Sequence, residues 1–266
     1  MTTWTIRPIN TGYVTTVPKQ YIYHHSVVPY RKDIPDERIY MPAFTFLLEK
    51  GNQKIMVDTG MSWSERADKY HHPKSIQPEG MAIHEQFSQR GYDPAEVDAV
   101  IFTHLHWDHV YYMDRFTNAE FFVHQKEYDF AMDPIPLYYK SYEHPALGIR
   151  RQFEGFNFSF VKNEQEIAPG IRVFDTPGHS PGHISVEIET NSGNYICCGD
   201  SIFMWVNLDP VEELHYNITP PGRYADVIST WKSIELQKER VKSKEFILPS
   251  HERALEELVK KNPIIS

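Results

Sequence analysis

The chain has 266 residues, 41% apolar and 24% charged, which suits one large domain with a substantial core and excludes a disordered or fibrous chain. Lys and Arg number 27 against 36 Asp and Glu, a formal charge of −9. Such an acidic surface repels phosphate backbones and argues against a nucleic-acid partner. The first segment, MTTWTIRPINTGYV, has neither a basic start nor a continuous apolar stretch, so no signal peptide is expected. No apolar run is long enough for a membrane span. The only cysteines, Cys197 and Cys198, are neighbours and cannot cross-link distant segments, so the expected compartment is the reducing cytoplasm. The 14 histidines stand out, because histidine is rich in metal-binding chemistry.

In chain order, Phe44–Glu49 and Lys54–Asp58 are apolar runs separated by Lys50-Gly-Asn-Gln, the pattern of a β-hairpin. Met81–Arg90 suits a helix with Ile83 and Phe87 inward, stopped by Gly91. Asp93-Pro94-Ala95-Glu96 has the acceptor, proline and glutamate of a helix start. Val97–Thr103 and Glu120–His124 read as strands. The stretch from Asp133 to Gly155, rich in Pro and Tyr, reads as a long functional loop. Strands are then expected at Phe156–Val161, Ile171–Asp175, Ile184–Glu189, Asn194–Cys198 and Phe246–Leu248. Tyr224, Ile228, Trp231 and Ile234 recur at helical spacing, and Ser250 can cap a terminal helix through Val259. Each half runs from strands to helices, the pattern of an α/β protein with two packed sheets and helices outside. No linker divides residues 1–266, so one domain is expected.

His104-Leu-His106-Trp-Asp108-His109 places four potential metal ligands within six residues, directly after a strand. Alternate side chains of an extended segment share a side, so His104 and His106 can meet one ion. Asp108 and His109, where the chain turns, can face a second. Imidazole and carboxylate without thiolate suit Zn²⁺ and tolerate Fe²⁺ or Mn²⁺. Three more apolar strands end at a lone candidate: Val173 to His179, Tyr195 to Asp200, and Phe246 to His251. Together they supply ligands from several strands, as a closed site requires. His183 reads as a structural turn residue. Tyr138 and Tyr139, with Trp107, Met204 and Trp205, suit an apolar pocket, plain core or the face of a homodimer.

Val57-Asp58-Thr59-Gly60, HLHWDH, TPGHSPGH, Gly199-Asp200 and Ser250-His251 follow one another in an order that resembles the metallo-β-lactamase superfamily. That resemblance implies an αβ/βα four-layer sandwich, two mixed sheets packed face to face with helices outside and a two-metal site at one edge. It also implies that His104, His106 and His179 hold the first metal, and that Asp108, His109 and His251 hold the second. Asp200 and a hydroxide would bridge the two, and Asp58 would orient ligands from behind. The layout is most similar to the N-acyl-homoserine lactone lactonases. A cysteine-ligand β-lactamase, a diiron oxygen reductase, a single-iron persulfide dioxygenase and a nuclease of this fold each lack a feature found here or need one that is absent.

The expected function is therefore a dinuclear, metal-dependent hydrolase opening a small lactone by attack of a metal-bridging hydroxide, with Asp108 as proton donor to the leaving alkoxide. A glyoxalase-II-like thioesterase or other carboxylic ester hydrolase is the alternative, followed by a metal-containing binding or sensor protein with little turnover. Two departures from the lactonase pattern stand out. Val110-Tyr111-Tyr112 crowds the turn after HLHWDH, where the family has a small residue and glycine. Phe203 stands where the lactonases carry a tyrosine that helps hold the substrate carbonyl. Tyr111, Tyr112, Tyr138 and Tyr139 are candidates to supply the missing hydroxyl.

Overall fold

The computed structural model describes residues 3–266. From the N-terminus, β1 (Thr5–Thr16) leads through the short α1 (Pro18–Tyr21) to the hairpin β2 (Ile39–Lys50) and β3 (Gln53–Val57). Next come α2 (Ser64–Tyr70), α3 (Ile83–Gln89), β4 (Ala99–Ile101), β5 (Glu120–His124), α4 (Gln125–Met132) and β6 (Ser159–Val161). The second half comprises β7 (Gln165–Ala168), β8 (Ile171–Asp175), β9 (Ile184–Glu189), β10 (Asn194–Gly199), α5 (Val227–Arg240), β11 (Ile247–Pro249) and α6 (Arg253–Lys261). The first six strands form one sheet in sequence order; the other five form a second in the order β11-β10-β9-β8-β7. Both sheets are mixed: β3 to β6 run parallel, as do β10 and β11, and the other pairs are antiparallel.

Period-two alternation builds the layers. Phe44, Phe46 and Leu48 of β2, Ile55 and Val57 of β3, and Ile101 of β4 face inward. They meet Val173, Val186, Ile188 and Cys197 of the second sheet in one buried core. The intervening residues Leu47, Met56 and Val100 point the other way and pack under Ile83 and Phe87 of α3 and Ala131 of α4. Ile234 of α5 covers Phe174 and Ile196 on the outer face of the second sheet. The result is the four-layer sandwich expected from the motifs.

Several elements differ from the sequence expectations for identifiable reasons. Strand β1 was not anticipated, and β2 extends five residues before Phe44. Asp93 does cap a helical turn, accepting from the Ala95 N–H at 2.9 Å, but only one 3-10 turn follows, at Pro94–Glu96. The strands expected at Val97–Thr103 and Phe156–Val161 narrow to Ala99–Ile101 and Ser159–Val161. Tyr224 precedes α5, which starts after Asp226, whose carboxylate accepts from the N–H groups of Ile228 and Ser229. Ile228 is 65% exposed and so is not part of the buried stripe. The terminal helix is capped by Glu252, which accepts from the Ala254 N–H at 2.7 Å, and not by Ser250, whose buried hydroxyl has no partner among the described residues.

Candidate metal centre

The segment after β4 carries His104 to His109, and the ends of β3, β8, β10 and β11 lead to Asp58, His179, Asp200 and His251. His104, His106, His179 and Asp200 each offer one ligand atom, and these atoms all lie within 4.8 Å of one another. Asp108, His109, Asp200 and His251 form a second group on the same criterion. Asp200 belongs to both, with one oxygen for each. Its Oδ2 lies 3.4 Å from His179 Nε2 and 3.9 Å from His104 Nε2. Its Oδ1 lies 3.2 Å from both His109 Nε2 and His251 Nε2. Asp108 Oδ2 is 3.6 Å from His251 Nε2, and its Oδ1 is 3.9 Å from His109 Nε2. Ligands on a tetrahedral ion with bonds of about 2.05 Å stand roughly 3.3 Å apart, so these spacings fit a cation between them.

The hydrogen bonds behind the histidines decide which ring nitrogens are bare. The Thr103 hydroxyl donates to Asp58 Oδ2 at 2.9 Å, so its oxygen accepts from His104 Nδ1 at 3.0 Å. His109 Nδ1 donates to Asp58 Oδ2 at 2.8 Å, and His251 Nδ1 donates to the Pro42 carbonyl at 2.7 Å. Each of these three rings therefore turns an unprotonated Nε2 toward the cluster in its neutral form. The buried Nε2 atoms of His104 and His109 and Oδ1 of Asp200 have no well-formed hydrogen bond among the described residues. His106 Nδ1 and His179 Nε2 meet at 2.9 Å. Carboxylate oxygens and imidazole nitrogens buried this close together need positive charge between them, as a proton or a cation, so two divalent cations fit the residues present.

The two groups differ in charge. Burial, reinforced by the imidazoles of His109 and His106, holds His104 well below the usual histidine range. Burial and His179 do the same to His106, and burial pushes His179 down to about 4. Burial also opposes charge on His109, but the carboxylates of Asp200 and Asp58 outweigh it and hold His109 well above the usual range. His251 is likewise raised, with Asp200 and Asp108 overcoming burial. Asp200 is held well below the carboxylate range, because His251 and His109 outweigh its own burial.

Three features hold these segments in place. Asp58 takes a left-handed φ of 59° and also accepts the Thr103 N–H at 2.8 Å, an arrangement typical of a strained functional turn. His183 is in neither ligand group. Its Nε2 accepts the Asp200 N–H at 3.2 Å while Nδ1 bonds Thr176 Oγ1 at 2.9 Å, the structural role read from sequence. Glu127, wholly buried on α4, accepts from the Leu105 N–H at 3.0 Å and the Tyr142 hydroxyl at 2.8 Å. It also accepts from the Ser180 hydroxyl at 2.6 Å and the Gly182 N–H at 3.2 Å. It thus ties the HLHWDH and TPGHSPGH loops together, and burial raises its carboxyl despite these four bonds. Gly182 is required there, because a Cβ would sit 2.1 Å from the Glu127 backbone nitrogen. No sequence signal distinguished Glu127 from a surface charge in the first turn of a helix.

A pocket of about 430 Å³ opens over the ligand groups, walled by Val14, Tyr21, Met41, Trp107, Phe203 and Arg223 among others. Phe203 lies between the two groups, its ring 5.4 Å from that of His179 and 5.9 Å from that of His251. The four tyrosines expected to replace a hydroxyl at 203 are engaged elsewhere. The Tyr111 hydroxyl donates to Glu143, the Tyr112 hydroxyl to Gln77, and the Tyr138 hydroxyl to the Tyr224 carbonyl. Tyr139 stacks on His144. The tyrosine lining the pocket is Tyr21, which the sequence reading did not single out. Met204 and Trp205 do not line this pocket; the Trp205 indole donates to the Ile247 carbonyl. The crowded turn after HLHWDH is accommodated by burying Tyr111 and by Tyr112 taking a left-handed φ of 63° without glycine. Among the described residues no helix is long and apolar enough to cross a membrane.

Comparison with known proteins agrees with this arrangement. Residues 40–251 match the Metallo-beta-lactamase superfamily. An N-acyl homoserine lactonase of Bacillus thuringiensis is 30% identical over 186 residues, 66% of this chain and 70% of that one. The N-acyl homoserine lactonase AttM of Agrobacterium fabrum is 29% identical over 216 residues, covering 77% and 76% of the two chains. Among solved structures, an N-acyl homoserine lactone hydrolase with the product N-hexanoyl-L-homoserine at its catalytic metal center superposes with a TM-score of 0.76. That pair is 25% identical and covers 97% of each chain. AidC, a dizinc quorum-quenching lactonase, shares the fold at a TM-score of 0.69 and 17% identity, over 94% of this chain and 88% of that one. Since the match spans every strand-end motif from the hairpin to His251, the chain belongs to the metallo-beta-lactamase superfamily.

Proposed function

We propose that this protein is a dinuclear metal hydrolase that opens the ring of a small lactone, using one domain formed by residues 1–266. That it is a hydrolase acting on ester bonds follows from its superfamily and its lactonase relatives. The observation that carries the dinuclear reading is the Asp200 carboxylate, which turns one oxygen to each ligand group. His104, His106 and His179 would hold the first ion and Asp108, His109 and His251 the second, with Asp200 shared. Two divalent cations, Zn²⁺ in our reading, ionise water near neutral pH and polarise a carbonyl when bound.

The chain's own residues supply position and proton transfer. Asp58, Thr103 and the Pro42 carbonyl fix the imidazole tautomers, so no ring must reorganise during the reaction. Phe203 and Trp107 form an apolar floor and wall that place the ester over the shared carboxylate and exclude bulk water. Asp108, at the pocket surface, is placed to hand a proton to the leaving oxygen. In balance, water adds OH to the carbonyl carbon, the acyl C–O bond breaks, and the ring oxygen leaves as a protonated alcohol. Cys197 and Cys198, both free and buried, suit a reducing cytoplasm.

The test is turnover of a panel of γ-lactones and acyl thioesters by protein loaded to two ions per chain, a stoichiometry the dinuclear site requires. Lactone opening that disappears with chelator and returns with Zn²⁺ or Mn²⁺ is expected. Preference for thioesters would move the protein to the thioesterase reading. Full loading without turnover of any ester would leave a binding protein.

A further inference from the structure

Beside the metal-facing pocket lies a second chamber of about 580 Å³. The two share Tyr21, His72, Trp107, Ser141 and Arg223 as wall, so they form one cleft. Their charged side chains differ. The inner part contains Asp108 and Asp200, whereas the outer chamber is completed by His71, Leu137 and Lys140 and has no carboxylate in its lining. Arg223 is half-buried, with its guanidinium carbon 4.9 Å from the centre of the Tyr138 ring. Tyr138 is itself fixed, by the bond to the Tyr224 carbonyl at 3.1 Å and by the Phe130 ring 5.6 Å away. A guanidinium stacked on an immobile ring has lost part of its rotational freedom before any ligand arrives.

Neither Arg223 nor Lys140 makes an ion pair among the described residues. In a chain with 36 acidic and 27 basic residues, two cations in an outer chamber lined by no carboxylate are a local excess of positive charge.

We propose that the natural substrate carries a carboxylate distal to its scissile ester, and that Arg223, stacked on Tyr138 and assisted by Lys140, receives it. This rests on the ester-hydrolase reading above and narrows its substrate class. A guanidinium offers a carboxylate two parallel N–H donors, a geometry that a neutral acyl tail cannot use.

The test compares two γ-lactones that differ only in a side-chain carboxylate or its primary carboxamide. Both are assayed on the zinc-loaded wild type and on R223Q, R223K and K140Q. A γ-lactam bearing the same carboxylate, which is not cleaved, is titrated by calorimetry. The acid should have the lower KM, by about tenfold or more, as a charge-assisted pair provides. R223Q should raise the acid's KM to that of the amide and weaken lactam binding by the same factor, with R223K recovering part of both. K140Q should give a smaller shift that fades with added salt. Equal KM for acid and amide in the wild type, or lactam binding unchanged in R223Q, would overturn the proposal while leaving lactone hydrolysis intact. If neither lactone turns over, the lactam titration alone decides the anion subsite, and it is the lactone reading of the proposed function that falls.

Discussion

The two ligand groups are built from the same residue types and share one carboxylate, yet they are prepared for a cation in opposite ways. In the first, His104, His106 and His179 are kept neutral by burial and by one another. They carry no charge before any ion binds, although one ring of the His106–His179 pair donates to the other at 2.9 Å. In the second, Asp58, Asp108 and Asp200 surround His109 and His251 and favour their protonated forms. There, bound protons stand in for the positive charge that a cation would supply. One group is ready through exclusion of charge, the other through neutralisation of charge. The balance of carboxylates against neighbouring imidazoles around each makes the difference.

Removing the element common to both groups should have the largest effect. Asp200→Ala leaves the first group with imidazoles only and the second with one carboxylate, so both should empty together. Elemental analysis should fall from about two ions per chain to below one, with turnover reduced by roughly a thousandfold or more. His179→Ala and His251→Ala should each remove a different single ion. If Asp200→Ala retained both ions, the two groups would not share a ligand and the contrast between them would be incidental.

Glu127 touches neither group directly and should rank next. Glu127→Gln keeps the shape of the side chain but replaces one acceptor by an amide N–H that faces the donors of its former partners. At least one buried donor then loses its bond, a cost of about 1–3 kcal/mol. Because Glu127 joins the loops carrying His106 and His179, kcat should fall about ten- to a hundredfold, the usual range for residues that orient ligands. The diagnostic readout is the first ion, which should dissociate faster while the second is unaffected. A loss of stability with both ions held normally would reduce Glu127 to a packing role.

Acidification separates the groups without mutation. His109 and His251 have raised values in the metal-free chain, so a cation entering the second group must displace protons already bound. Affinity there should fall with decreasing pH, by up to about tenfold per pH unit for each proton released. The first group should hold its ion further into acid, because its histidines are lowered and His179 takes a proton only near about 4. Calorimetry in buffers of different ionisation enthalpy should show more protons released by the second ion than by the first. Equal release would sink the distinction drawn above.

How much of this was legible in the sequence follows from how local each signal is. His104 to His109 lie in one segment whose spacing alone brings four candidate ligands together, and Asp200 and His251 each end a short apolar run, a signal that is weak singly and informative in combination. Glu127, Tyr21 and Arg223 were not legible, because their roles depend on what the fold brings to them from separate segments of the chain. The same holds for β1, whose partner β2 begins 23 residues after β1 ends. Ile228 shows the converse error: it shares helical spacing with Trp231 and Ile234, but it is 65% exposed in the first turn of α5 while Ile234 is buried.

The smallest predicted effect concerns the position between the two groups. Phe203 offers contact area to a substrate but no hydrogen-bond donor. Tyr111, Tyr112, Tyr138 and Tyr139 are all engaged elsewhere, so none of them compensates. Among the described tyrosines, Tyr21 lines the pocket, and its ring meets His72 edge-on at 5.0 Å. A single oxyanion donor is worth about a hundredfold in an enzyme that depends on it. With two cations in the proposed site taking most of that charge, Phe203→Tyr should raise kcat on a simple neutral lactone by only about three- to tenfold. If kcat does not change, a donor is already present, and Tyr21→Phe should then lower it by a similar factor. If Phe203→Tyr and Tyr21→Phe both leave kcat unchanged, the carbonyl oxygen faces neither side chain. The substrate would then lie with its ring toward Trp107 and its carbonyl directed away from the seam between the two groups.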